Sequence, residues 1–160
     1  MSNLYNTSII DSEHHFSSDT GDKYVVYFIE SKIYQKSQFG QREEVKIYHI
    51  GFSRDKNYNS VIRFDRKVRD TILSIYMNFI EAHPDDAFIY ICDNDDRRAR
   101  HRSITFGSWF NDYKPSTPLF RCNFNSSETT LYVSLVMVSS NPLKHFYMDA
   151  FEYTLKDLYN

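Results

Sequence analysis

Between Leu143 and Leu158, the side chains Leu143, Phe146, Tyr147, Ala150, Phe151, Thr154, Leu155 and Leu158 recur at i, i+3, i+4, i+7, i+8, i+11, i+12 and i+15. That is one face of an α-helix, and a face so apolar has to be buried against a second layer. Asn141-Pro142 supplies an N-cap and a first helical residue that needs no N–H. A second helical stripe, Val68, Ile72, Ile75, Phe79 and Ala82, is widened by Thr71, Tyr76 and Ile80 and stops at His83-Pro84. Asp65 is placed to cap it. What these helices pack on is written in short β-branched and aromatic runs at Tyr24–Ile29, Val45–Phe52, Phe88–Cys92 and Leu131–Val138. Phe120, Cys122 and Phe124 alternate with Arg121 and Asn123, a strand with one wet face. The turn at Asn125-Ser126-Ser127-Glu128 makes a hairpin of that strand and the next.

Weaker alternations at Tyr5–Ile10 and His14–Ser17, closed by Thr20-Gly21-Asp22, read as two edge strands. There His14 and His15 point to opposite faces and cannot share a metal, and both are expected to be exposed. Ser31 to Glu44, polar and containing Gly40, reads as a connection, and Gly51 marks a bulge or a close backbone approach. A third helix follows the run Phe88–Cys92, with Ala99, Ser103, Phe106, Phe110 and Tyr113 on its core face, and breaks at Lys114-Pro115-Ser116-Thr117-Pro118. The order is strands, helix, strand, helix, hairpin, helix. It predicts a single α+β domain over residues 1–160, with 1–22 peripheral. Its antiparallel or mixed sheet has about five to seven strands, and the three helices pack mainly on one face.

At 160 residues, 41% apolar and 25% charged, the chain has enough material for one globular core. A net charge of −2 argues against a general nucleic-acid or membrane binder and leaves room for a local basic face. The thirteen Tyr and thirteen Phe accompany abundant Asn, Ile and Lys, so codon bias explains them better than a base-stacking surface does. Cys92 and Cys122 lie within apolar runs and form neither a disulfide framework nor a CxxC pair. The start, Met1-Ser2-Asn3-Leu4-Tyr5, lacks the basic and apolar regions of a signal peptide, and no apolar run approaches a membrane span. The expectation is a cytoplasmic protein.

Several chemistries are excluded by pattern. The four glycines form no GxGxxG or GxxxxGK loop, and GxSxG, HExxH and EF-hand motifs are absent. The densest polar chemistry follows Phe88–Cys92, where Asp93, Asp95 and Asp96 lead into Arg97, Arg98, Arg100, His101 and Arg102. Guanidinium groups beside the free N–H groups of a helix start suit phosphate or another dianion. Carboxylates just past a strand end suit Mg²⁺. The plainer account is that Asp95 or Asp96 caps the helix and that Asp96 and Arg100 form an i, i+4 pair worth about 0.3–0.5 kcal/mol. A second basic cluster, Arg54, Lys56, Arg63, Arg66, Lys67 and Arg69, contains Asp55 and Asp65, six positive charges against two negative.

Three functions fit these features. The first is a non-enzymatic module that binds an anionic ligand or an acidic protein through the Arg-rich helix start, with nucleic acid less favoured. The second is a metal-dependent nuclease or phosphoryl-transfer enzyme, with Mg²⁺ on Asp93, Asp95 and Asp96 and His101 beside them. The third is a self-associating protein, a homodimer, in which Trp109 and Ile104 lie off the helix's core stripe and form an apolar patch.

Tyr90-Ile91-Cys92-Asp93 with the Asp and Arg residues after it, Phe106 with Trp109-Phe110-Asn111, His49-Ile50-Gly51-Phe52 and Asn141-Pro142 together resemble an uncharacterised family of short Bacteroidetes proteins. The resemblance covers most of the chain. It implies a bacterial, intracellular origin and assigns no catalytic residue.

Overall fold

The computed structural model describes residues 3–55, 66–92, 99–112, 117–125 and 132–159. Its strands are β1 (Ser8–Ile10), β2 (Glu13–Ser17), β3 (Lys23–Lys36), β4 (Arg42–Arg54), β5 (Phe88–Cys92), β6 (Leu119–Asn125) and β7 (Tyr132–Val138). The helices are α1 (Arg66–Ala82), α2 (Ala99–Asp112) and α3 (Lys144–Tyr159). The seven strands form one sheet in the order β1-β2-β3-β4-β5-β7-β6. Every neighbouring pair is antiparallel except β4–β5. This is the mixed-sheet α+β class that the spacing predicts. The one parallel pair arises because α1 carries the chain back across the sheet between β4 and β5.

Strand pairing overrides one expectation. Ser31 to Glu44 is not a connection: β3 and β4 run on as a hairpin, paired from Tyr24↔Arg54 out to Lys36↔Arg42. Its turn is closed by Ser37 N–H to Gln41 O (2.7 Å) and Gly40 N–H to Ser37 O (2.9 Å), with Gly40 at φ +79°. Within Ser31–Glu44 itself Ile33 is the one buried apolar residue, too few to read as an alternating strand. The weak N-terminal alternations are real strands, joined by Asp11 and Ser12 at φ 50° and 68°, the left-handed pair that a two-residue hairpin needs. His14 and His15 are half-buried rather than exposed: the His14 ring meets Phe28 edge-on, and His15 Nε2 lies 3.4 Å from Glu13.

The sheet has two cores. On one face Val68, Ile72, Tyr76 and Ile80 of α1 and Trp109 of α2 pack with Tyr24, Val26, Ile50, Phe88, Tyr90 and Val136. On the other, Tyr147, Ala150, Phe151 and Leu155 of α3 pack with Ile33, Ile47, Ile89, Leu135 and Met137. Two helices therefore share one face and α3 closes the other. Asn141 fixes the entry to α3 as expected: its Oδ1 accepts from Leu143 N–H (2.8 Å) and its Nδ2 donates to Asp86 O (3.0 Å). Trp109 departs from the expectation of an exposed patch. It is 7% exposed, and its ring lies 6.0 Å from that of Phe52 in a stacked arrangement. The side chain of Ile104 lies outside the described residues, so self-association has lost the Trp109 surface first offered for it.

Candidate functional site

β4 and β5 run side by side and parallel, but their ladder holds for two residue pairs only, Tyr48↔Phe88 and His49↔Ile89. The Tyr48 N–H donates to Ala87 O (3.1 Å), which sets the phase of the ladder. The next rung would join Ile91 N–H to Ile50 C=O, and the pairing stops short of it. Past that point β4 continues to Arg54 on β3 and β5 continues to Cys92 on β7. The carboxyl ends of two adjacent parallel strands thus part company, and such a crevice is where open α/β sheets take their ligands.

Both Arg-rich segments begin at this end of the sheet. Residues 54–69 run from the end of β4 into α1, and residues 93–102 run from the end of β5 into α2. Arg100, His101 and Arg102 belong to the first turns of α2. Asp93, Asp95, Asp96, Arg97 and Arg98 lie outside the described residues, as do the side chains of Arg100, His101 and Arg102 and the residues Lys56, Arg63 and Asp65.

The described members of the β4–α1 cluster are engaged within the fold. Arg54 Nη2 lies 2.9 Å from Asp22 Oδ1, and the two side chains are 10% and 8% exposed. Asp22 is held in turn by Thr20 Oγ1 to its Oδ2 (3.0 Å) and by its own N–H to Ser18 Oγ (3.2 Å). Arg69 bridges Asp70 (3.1 Å) and Asp112 (3.8 Å), tying α1 to α2. Lys67 Nζ sits 4.2 Å above the Tyr5 ring, and Arg66, the most exposed, reaches Asp70 at 3.9 Å. These charges orient the strand end and the helix start; they are not a loose basic surface.

On the α3 side, the helix covers only part of the sheet, and the part beside the crevice is open. There Ile29 and Ile91 are 53% and 43% exposed, and His49 and Tyr27 meet edge to face at 6.1 Å. Burial holds the His49 imidazole below its ordinary pKa, so it is neutral at pH 7. The Gly51 signal in the sequence has its cause here, since a Cβ would fall 2.6 Å from Tyr27 Cζ. Pattern reasoning passed over His49 and Tyr27 because an isolated His and Tyr within an apolar run carry no motif. A second opening, a groove of about 600 Å³ between residues 4–8 and β2, is lined by Tyr5, His15, Asp19, Lys23 and Lys67.

Among the described residues no three His, Cys, Asp or Glu side chains converge as metal ligands. No described helix is long and apolar enough to cross a membrane. No curated protein and no solved structure matches the chain. A family model does match, over residues 64–153, which takes in α1, β5, α2, β6, β7 and most of α3, more than half of the chain. The chain belongs to the family of unknown function DUF6169.

Proposed function

We propose that this is a non-enzymatic binding module, a bacterial intracellular protein that holds an anionic ligand where β4 and β5 part. One observation supports the reading: the parallel ladder of β4 and β5 stops after two pairs, at the strand end that the Arg-rich segment 97–102 follows in sequence. Arg97, Arg98, Arg100, His101 and Arg102 are the groups assigned to the anion. Cations at a helix start oppose its dipole by about 0.3–1 kcal/mol each, so their concentration there favours a bound negative charge. The unmade rung at Ile50 and Ile91 suits a ligand with an extended, amide-bearing arm, which can hydrogen-bond as a strand does. An extended diamide ending in phosphates, as in coenzyme A, meets both demands. An acidic protein is the alternative ligand, and nucleic acid is disfavoured by the net charge of −2. Mg²⁺ enters this reading only with a phosphate ligand, through Asp93, Asp95 or Asp96. The bacterial, intracellular setting rests on the sequence resemblance.

The test is a thermal shift at low salt with coenzyme A, nucleotides and inorganic polyphosphate. At least one probe should raise the melting temperature of the parent protein. Replacing Arg97, Arg98, Arg100 and Arg102 by Gln should remove that rise and leave the unliganded melting temperature near the parent's. A parent protein unmoved by every probe overturns the small-anion reading.

A further inference from the structure

β6 ends the sheet. β7 pairs with it on one side, and no described strand lies on the other. The direction of its free backbone groups follows from Pro118, whose carbonyl accepts from Ser139 N–H at 2.9 Å. Pro118 and Ser139 extend the register Leu119↔Val138 by one position, so the hydrogen-bonded rungs to β7 fall at Phe120, Cys122 and Phe124. Leu119, Arg121, Asn123 and Asn125 therefore aim their N–H and C=O groups away from the sheet. No proline or bulge interrupts the strand, and its one charge, Arg121, is turned inward with Nη1 buried. Phe120, Cys122 and Phe124 sit half-buried at the margin of the α3 core. Lys144 Nζ, 5.0 Å from the Phe120 ring, brings the start of α3 alongside, with Leu143 43% and Phe146 38% exposed.

Along this edge, Leu119-Phe120-Arg121-Cys122-Asn123-Phe124-Asn125, the residues on the α3 side, Phe120, Cys122 and Phe124, are symmetric about Cys122. We propose that β6 is a homodimer interface in which two copies pair β6 antiparallel about a two-fold axis at Cys122. In that register the outward groups of Arg121 meet those of Asn123 of the partner subunit, and Leu119 meets Asn125 of the partner subunit. Phe120 lies across from Phe124 of the partner subunit on the α3 side, in the closer, non-hydrogen-bonded rungs where aromatic pairs contribute most. Cys122 faces its own copy. A second copy is the fitting occupant because an antiparallel pair about a two-fold axis offers each edge the complement of itself, and only this strand repeats the Phe-x-Cys-x-Phe spacing opposite. Two seven-stranded sheets become one continuous sheet with the exposed β6 edges removed.

The experiment uses the full chain. Light scattering over a dilution series should give twice the 19.1 kDa chain mass for the parent protein. Cys122→Lys sets like charges face to face at the axis and should give a folded 19.1 kDa monomer by the same measurement. Independently of that variant, the Cα atoms of a non-hydrogen-bonded rung stand about 4.5 Å apart, within disulfide reach. Mild oxidation should then cross-link Cys92→Ser and fail to cross-link Cys122→Ser. A parent protein that is monomeric at every concentration overturns the proposal, as does a folded Cys122→Lys dimer or a cross-link that needs Cys92.

Discussion

Asp22 and Arg54 are two charges almost out of reach of water, 2.9 Å apart, at the point where β3 starts and β4 ends. Removing one partner leaves the other charge buried and uncompensated, which costs about 3–5 kcal/mol, far above the 1 kcal/mol or less of a surface pair. Asp22→Ala should therefore lower the urea midpoint sharply. Arg66→Ala, whose pair with Asp70 is long and whose side chain is 84% exposed, should hardly move it. Equal effects from the two variants would contradict the burial argument. His49 and His14 make a second, opposite kind of contribution. Burial keeps both below the ordinary value of 6.5, with the charge of His15 adding to the effect at His14. Below that value the unfolded chain binds more protons than the folded one, so stability rises with pH through this window. Stability should be fully present above about pH 6.5 and decline as pH falls through the folded-state values. Urea melts across this range check the sign, and His49→Gln should flatten the slope; a slope of the opposite sign would falsify the assignment.

α3 is the element whose period is clearest in the sequence, and its position is the least legible part of it. The i, i+3, i+4 spacing says that a face is buried and nothing about which surface receives it. Thr154, in the middle of that face, supplies the address. Its Oγ1 accepts from Tyr34 N–H at 2.7 Å and shares its own proton between Ala150 O (2.8 Å) and Tyr34 O (3.2 Å). Thr154→Val keeps the shape and strands the Tyr34 N–H, a loss of about 1–3 kcal/mol. Hydrogen exchange at Tyr34 should speed up while Val26 and Ile72 keep their protection. The distal β3–β4 hairpin was hidden for the complementary reason: its alternation rests on Ile33 and Val45, and it becomes a buried pattern only once α3 lies over it. In α2, Phe106, Trp109 and Phe110 stand at i, i+3 and i+4, with Trp109 at the margin of the stripe drawn through Ala99, Ser103, Phe106, Phe110 and Tyr113. Phe52, fifty-seven residues before Trp109, stacks on it and draws that margin inward. Trp109 is the only tryptophan, so its fluorescence reports the docking of α2 on the sheet. Its emission should not change on dilution, and Trp109→Ala should cost about 3–5 kcal/mol rather than yield a stable monomer.

At the scale of the molecule, the Arg-rich runs were legible in the sequence, whereas the crevice where β4 and β5 part was not. That crevice depends on β4 and β5 lying side by side, a fact stored in no local pattern. The two-rung ladder has a mechanical consequence. It joins two antiparallel blocks, β1 to β4 and β5 with β7 and β6, that each hold themselves together by continuous backbone pairing. What spans the join is mostly side chain: Phe79 of α1 stacks on Phe28 at 3.9 Å and touches Tyr48 and Phe88. On the opposite side, Thr154 grips β3 while Tyr147 of the same helix donates to Asp85 O just ahead of β5. Side-chain packing yields by small rotations, whereas a ladder breaks rung by rung. The line between β4 and β5 is therefore the one in the sheet held by the fewest backbone pairs, and α1 and α3, packed on its two faces, are what keep the blocks in register.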